Sequence, residues 1–265
     1  MKNVLMLAHD DSGQEARLQA ALDLTRALGG HLHCVDAVQV PVMVDNFGGA
    51  ATTVLLYDGR QREAENRRAV EGRLAREDVS WSCTEAIGDF SRCIEEAART
   101  ADLVVLNRQL DRTGPDMRRI ATDVLTHTRA LVVAVDDDLR GFDAAGRAMI
   151  AWDGSETAMA TIKRAIPLLR LASEVRIFQA GPLSEAAIPA DEAAAYLSRH
   201  GIRADVEIAR RPDSIAVAIR MAAERSGAAY LVMGAFKHGV LKEALLGGVA
   251  RAMLSACNLP LVLGH

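Results

Sequence analysis

Three groups of residues carry side chains or backbone suited to chemistry. The first is Asp153-Gly154-Ser155-Glu156, which closes the apolar run Ala148-Met149-Ile150-Ala151-Trp152. A carboxylate at a strand end accepts hydrogen bonds from a ligand; the same residues would equally turn the chain, with Ser155 capping the next helix. The second runs from Met233-Gly234 through Lys237 and His238 to Gly247-Gly248-Val249. Glycines there let backbone N–H groups approach a phosphate, and a helix N-terminus adds positive dipole. Tight turns between packed elements account for them as well, since neither G-x-x-x-x-G-K-[ST] nor G-x-G-x-x-G is present. The third is His31 and His33, on one face of a strand, with His9 ending the neighbouring run. A metal site needs a third converging ligand and supporting hydrogen bonds, which the sequence does not supply, and none is expected. Without a G-x-S-x-G elbow there is no sign of a serine nucleophile either, so no catalytic residue is assigned.

These residues must be positioned by repeating elements. Val4 to Ser12 is echoed 143 residues later by Ala148 to Ser155. Ala101-Asp102-Leu103-Val104-Val105-Leu106-Asn107 is echoed by Ala228-Ala229-Tyr230-Leu231-Val232-Met233-Gly234, and Leu131-Val132-Val133-Ala134-Val135 by Pro260-Leu261-Val262-Leu263. Preserved order argues for a tandem duplication with a boundary near Asp136 to Gly141, giving domains over 1–140 and 144–265. The pattern predicts strands near 3–9, 31–37, 79–85, 102–107 and 130–135, with helices near 13–28, 59–77, 89–100 and 116–128. In the second half strands are predicted near 147–152, 174–180, 204–210, 229–233 and 260–264, with helices near 156–171, 189–200, 213–226 and 247–257. Alternating strands and helices imply right-handed crossovers, so each half is expected to be a doubly wound, five-stranded parallel-sheet α/β domain, Rossmann-like. Val38 to Asp58 is left as a long connection whose Val42, Met43, Val44, Leu55 and Leu56 would cover a domain edge or a partner.

Composition agrees with this architecture. Of the 265 residues, 50% are hydrophobic and only 4% aromatic, as expected of parallel sheets built from small aliphatic side chains. A net charge of −4 removes the broad attraction that non-specific nucleic-acid binding requires. Cys34, Cys83, Cys93 and Cys257 are scattered, and read as small hydrophobes in a reducing compartment. The first apolar run is too short for a signal or membrane segment, so a cytoplasmic protein with no membrane partner is expected.

Asp after the first strand, Gly after the fourth, and Gly-Gly-Val opening a helix that leads to Leu259-Pro260-Leu261-Val262 together resemble the universal stress protein family in its tandem, two-domain form. The resemblance implies the adenine nucleotide alpha hydrolase-like fold and a regulatory or binding role in the stress response. It also implies ATP or another adenine nucleotide as ligand, with Mg2+ only alongside ATP. It places adenine against Asp153 and the backbone near Gln179 and Ala180. Ribose and phosphates fall to Met233, Gly234, Lys237, Gly247, Gly248 and Val249. Lys237 stands where the family has a second glycine, and Gly248 where it has Ser or Thr. The first half keeps Asp10, but Asn107 to Arg119 replaces its glycine motif, so no family-type site is expected there. Arg108, Arg112, Arg118 and Arg119 read as a solvated face. The halves are expected to pack as a pseudo-dimer by pairing strands 130–135 and 260–264, and a homodimer of chains is a further option. A nucleotide-independent scaffold and a weak ATP hydrolase are the other readings.

Overall fold

The computed structural model describes residues 1–38, 49–108, 116–209, 213–235 and 247–265, with backbone alone for 49–59. In the first half, β1 (Asn3–Ala8), α1 (Gln14–Leu28), β2 (His31–Val38), α2 (Gly49–Leu74) and β3 (Ser80–Ile87) precede α3 (Phe90–Ala98), β4 (Leu103–Asn107), α4 (Met117–His127) and β5 (Leu131–Val135). The second half repeats the cycle as β6 (Arg147–Trp152), α5 (Glu156–Leu169), β7 (Glu174–Ala180), α6 (Ala190–Arg199), β8 (Ala204–Ala209), α7 (Ile215–Ser226), β9 (Tyr230–Gly234), α8 (Gly248–Ala256) and β10 (Leu261–Gly264).

Local chemistry explains the boundaries. In α1, Ala16, Ala20, Leu24 and Leu28 recur on one buried face, and Gly29 ends the helix with φ 56°. Asp89 caps α3 by accepting from Arg92 N, and Ser155 caps α5 by accepting from Ala158 N. β4 and β5 are buried at every position, as strands covered on both faces must be. The long connection read from the sequence is a correction: α2 begins at Gly49, ten residues before the predicted start, whereas 39–48 lie outside the described residues, as do the side chains of Leu55 and Leu56. Gly49, the β-branched Thr52, Thr53 and Val54 argued against helix, but the stretch also carries Ala50, Ala51, Leu55 and Leu56. Extending an existing helix costs far less than starting one.

The strands form one sheet in the order β3-β2-β1-β4-β5-β10-β9-β6-β7-β8. All pairs are parallel except β5 with β10, where Val133 faces Val262 across the centre. From either edge the order of elements is the same, so a pseudo-two-fold relates the halves. The expected pairing of 130–135 with 260–264 is therefore present, and it leaves neither strand as an open edge. The core divides by sheet face rather than by half. One face packs α1, α2, α5 and α6, the other α3, α4, α7 and α8, and each apolar cluster runs through both halves.

The segment joining the halves is docked. Asp136 pairs with Arg108, Asp137 accepts from Asn107 Nδ2 at 2.7 Å, and Phe142 N donates to Asp23 Oδ2 at 2.9 Å. Phe142 is buried against Tyr230, ring centroids 5.1 Å apart. Among the described residues no helix is long and apolar enough to cross a membrane.

Candidate functional site

In the second half, β7 and β8 lie to one side of β6, and β9 and β10 to the other. Strand order thus reverses between β6 and β9, and in open α/β sheets ligands bind at the carboxyl ends beside that switch. Most of the residues singled out from the sequence gather there. Asp153 follows β6, Ala180 ends the adjacent β7, and Met233 and Gly234 end β9 on the other side. Gly247 N donates to Ala235 O at 3.0 Å, which brings Gly247, Gly248 and Val249 back to the same strand end. Lys237 lies outside the described residues.

The geometry at this end comes from short-range contacts. Asp153 is exposed, and its Oδ1 accepts from Ser155 N at 3.0 Å, an Asx turn. Gly154 is buried with φ 73°, and a Cβ there would lie 2.6 Å from Ala187 Cβ. Only glycine suits that conformation and that space. The segment after β7 folds over it: Ile188 N donates to Gly154 O at 2.9 Å, and Trp152 Nε1 donates to Ile188 O at 3.0 Å. Leu183, Ala187 and Ile188 therefore wall the strand end beside Asp153. On the opposite side Gly247 precedes α8 without a side-chain cap, and a Cβ on Gly248 would meet nothing within 4 Å among the described residues. A helix N-terminus without a side-chain cap offers backbone donors of the kind that an anion takes.

The corresponding place in the first half is filled. Arg17, fully buried in α1, donates to Leu7 O, His9 O, both oxygens of Asp11, and Asn107 Oδ1. Asn107, which ends β4 as Gly234 ends β9, donates onward to Gly13 O and Asp137. Desolvation pushes the Asp137 carboxyl up from the ordinary range. Here two sequence readings are corrected. The turn after β1 is two residues longer than that after β6, so Asp11, accepting from Gly13 N at 2.9 Å, is the counterpart of Asp153, and Asp10 is exposed. Arg108 is buried on Asp136 rather than solvated, because it pins the joining segment; Arg118 reaches Ser255, Arg119 lies by Asp89 and Asp123, and Arg112 is outside the described residues.

A further cluster escaped the sequence reading. His9 Nδ1 lies 2.7 Å from Glu63 Oε1, beside Asp36, which is 1% exposed. Asp36 Oδ1 and Glu63 Oε2 are buried with no partner among the described residues. Burial, with Glu63 and Glu85 nearby, pushes the Asp36 carboxyl up to about 7. No local motif signals this group, because β1, β2 and α2 bring together residues 27 apart in sequence at each step. His31 and His33 instead hydrogen-bond to Ser80, Ser82 and Thr84 along the β2/β3 edge. Among the described residues no group of His, Cys, Asp and Glu has the arrangement of a metal site.

The fold is that of a doubly wound α/β protein, with the residues singled out from the sequence placed at its strand ends. Comparison with known proteins narrows the class: the model of the Universal stress protein family matches residues 144–264, nearly all of the second half. A universal stress protein from Archaeoglobus fulgidus DSM 4304 superposes over 99% of this chain and 95% of its own, with TM-score 0.70 and 14% identity. A functionally unknown protein of Pseudomonas aeruginosa PAO1 gives 0.59 and 18% over 100% and 92%. The cytoplasmic domain of a prokaryotic cation chloride cotransporter gives 0.50 and 11% over 99% and 94%. At these identities the likeness is one of fold. Among curated proteins nothing matches the sequence.

Proposed function

We propose that the protein is a two-domain regulatory module, with domains 1–140 and 144–265, that binds an adenine nucleotide in its second half and none in its first. One observation carries this reading. At the switch point of the second half a carboxylate, a walled strand end and an uncapped helix N-terminus lie together, whereas the first half places the Arg17 and Asn107 side chains at the corresponding position. Asp153 and the backbone at Ala180 would take the base and sugar side, with Leu183 and Ile188 against the base. The N–H groups of Gly248 and Val249 would take phosphate, with Gly247 held in place by its bond to Ala235 O. The residues fit such a ligand: the site combines an acceptor, apolar walls and backbone donors, and glycine at 248 adds no side chain to the approach. Its output would be a change in what the module binds, since no catalytic residue is assigned.

Calorimetric titration of the purified protein with ATP and with AMP tests the reading. Binding at one site per chain is expected, reduced at least about tenfold by Asp153→Ala, which removes a charge-assisted acceptor. Gly247→Val should reduce it likewise without unfolding the chain, because φ −55° and ψ 151° suit a β-branched residue. A wild-type protein that binds neither nucleotide would sink the proposal.

A further inference from the structure

Over its described side chains, α2 buries Glu63, Val70 and Leu74 along one stripe, with Arg67 partly buried between them. Steps of three and four residues put all four on one helical face. Val70 and Leu74 join the apolar cluster beneath, so hydrophobic burial fixes the last turns of the helix. Two turns earlier the contacts are chiefly polar. Asn66 exchanges hydrogen bonds with Gln14 of α1 at 2.7 and 2.8 Å. Glu63 lies over the carboxyl ends of β1 and β2, its Oε1 2.7 Å from His9 Nδ1 and its carboxyl within hydrogen-bonding reach of Asp36.

The charges around Asp36 do not balance. β3 brings Glu85, the register partner of Asp36, α2 brings Glu63, and the arginine facing these carboxyls is Arg67. Its guanidinium is divided: Nη1 lies 2.8 Å from Glu85 Oε2 but 4.0 Å from Asp36 Oδ2, and Nε lies 3.9 Å from Glu71 Oε1. Asp36 Oδ1 and Glu63 Oε2 meanwhile are buried with no donor among the described residues. Two ionised carboxyls so placed repel each other and lack hydrogen bonds; one proton between them supplies the missing donor and turns the repulsion into an attraction. We propose that the first half is a proton-responsive element, in which the Asp36–Glu63 pair holds the turns of α2 around residues 63–69 to the sheet while it keeps a proton and releases them when the proton leaves. The response needs no nucleotide in the second half. Its direction follows from burial, which, with Glu63 and Glu85 nearby, pushes the Asp36 carboxyl up to about 7, against 3.8 once α2 lifts away. The docked helix binds the proton more tightly, so docking weakens as pH rises from about 4 to about 7.

Hydrogen exchange of the whole chain, read by mass spectrometry at about pH 5 and about pH 8 and corrected for the intrinsic pH dependence of exchange, gives the test. Amides at 63–69 should lose protection by at least about tenfold at the higher pH. They should also exchange faster there than those of α1, because the turns lift while the chain stays folded. Asp36→Asn and Glu63→Gln each supply a permanent amide donor to the pair, so both variants should keep at the higher pH the protection that the wild type shows at the lower. Protection that does not change with pH in the wild type would overturn the proposal. So would amides at 63–69 that exchange no faster than those of α1, since the helix would then leave only when the chain unfolds. A pH dependence that survives in both amide variants and disappears in His9→Gln would overturn it too, assigning the response to His9.

Discussion

Arg17 spends its whole donor capacity inside the protein, five hydrogen bonds from a side chain with no exposure, and among the described residues its charge is answered by Asp11 alone. Arg17→Met should therefore cost about 3–5 kcal/mol in denaturant unfolding, chiefly because Asp11 would lose its cation and Asn107 Oδ1 its donor. Adding Asp11→Asn should recover part of the loss; if the double variant is no more stable than the single, the charge account is wrong. Asp36 makes a different prediction. Its carboxyl titrates near 7 in the folded protein and near 3.8 in the unfolded chain, so between those values the folded state holds the extra proton. Stability should fall as pH rises from about 4 to about 7 and level off above. Asp36→Asn should flatten that slope in thermal melts across the range, and an undiminished slope would remove Asp36 as its source. Neither residue was legible in advance: an arginine in an alanine-rich helix and an aspartate in a strand acquire their meaning only from partners 90 and 27 positions away.

At the scale of elements the sequence was much more informative, because period-two and period-3.6 patterns are local and the strands of a parallel sheet are nearly continuous apolar runs. Strand ends fell within two residues, and the strand-end residues of the second half did assemble at one place. What failed did so for local reasons as well. Threonines and a glycine masked the first turns of α2, and a two-residue insertion after β1 shifted the carboxylate from Asp10 to Asp11 without changing the motif's appearance. The turn after β6 permits a direct check. Gly154→Ala would place a methyl group against Ala187 and force φ 73° on a residue with a Cβ, so a loss of roughly 1–3 kcal/mol is expected. Nucleotide binding should fall with it, because Ile188 and Trp152 hold the wall through that backbone. A neutral effect on melting temperature would mean that the segment at 183–188 yields easily.

Across the whole molecule, each face of the sheet carries one apolar cluster that passes through the β5/β10 seam, so the halves share their cores. Unfolding should be a single transition in calorimetry, and Val133→Arg, which buries a charge opposite Val262, should lower the stability of both halves together. Two resolved transitions would contradict a shared core. The seam has another meaning. Two identical chains related by a two-fold axis must repeat every substitution on both sides, so neither site can be altered without altering its twin. Here the axis lies within one polypeptide, and a change is inherited by one copy only. That freedom lets one copy seal its cleft with an arginine while the other keeps glycine.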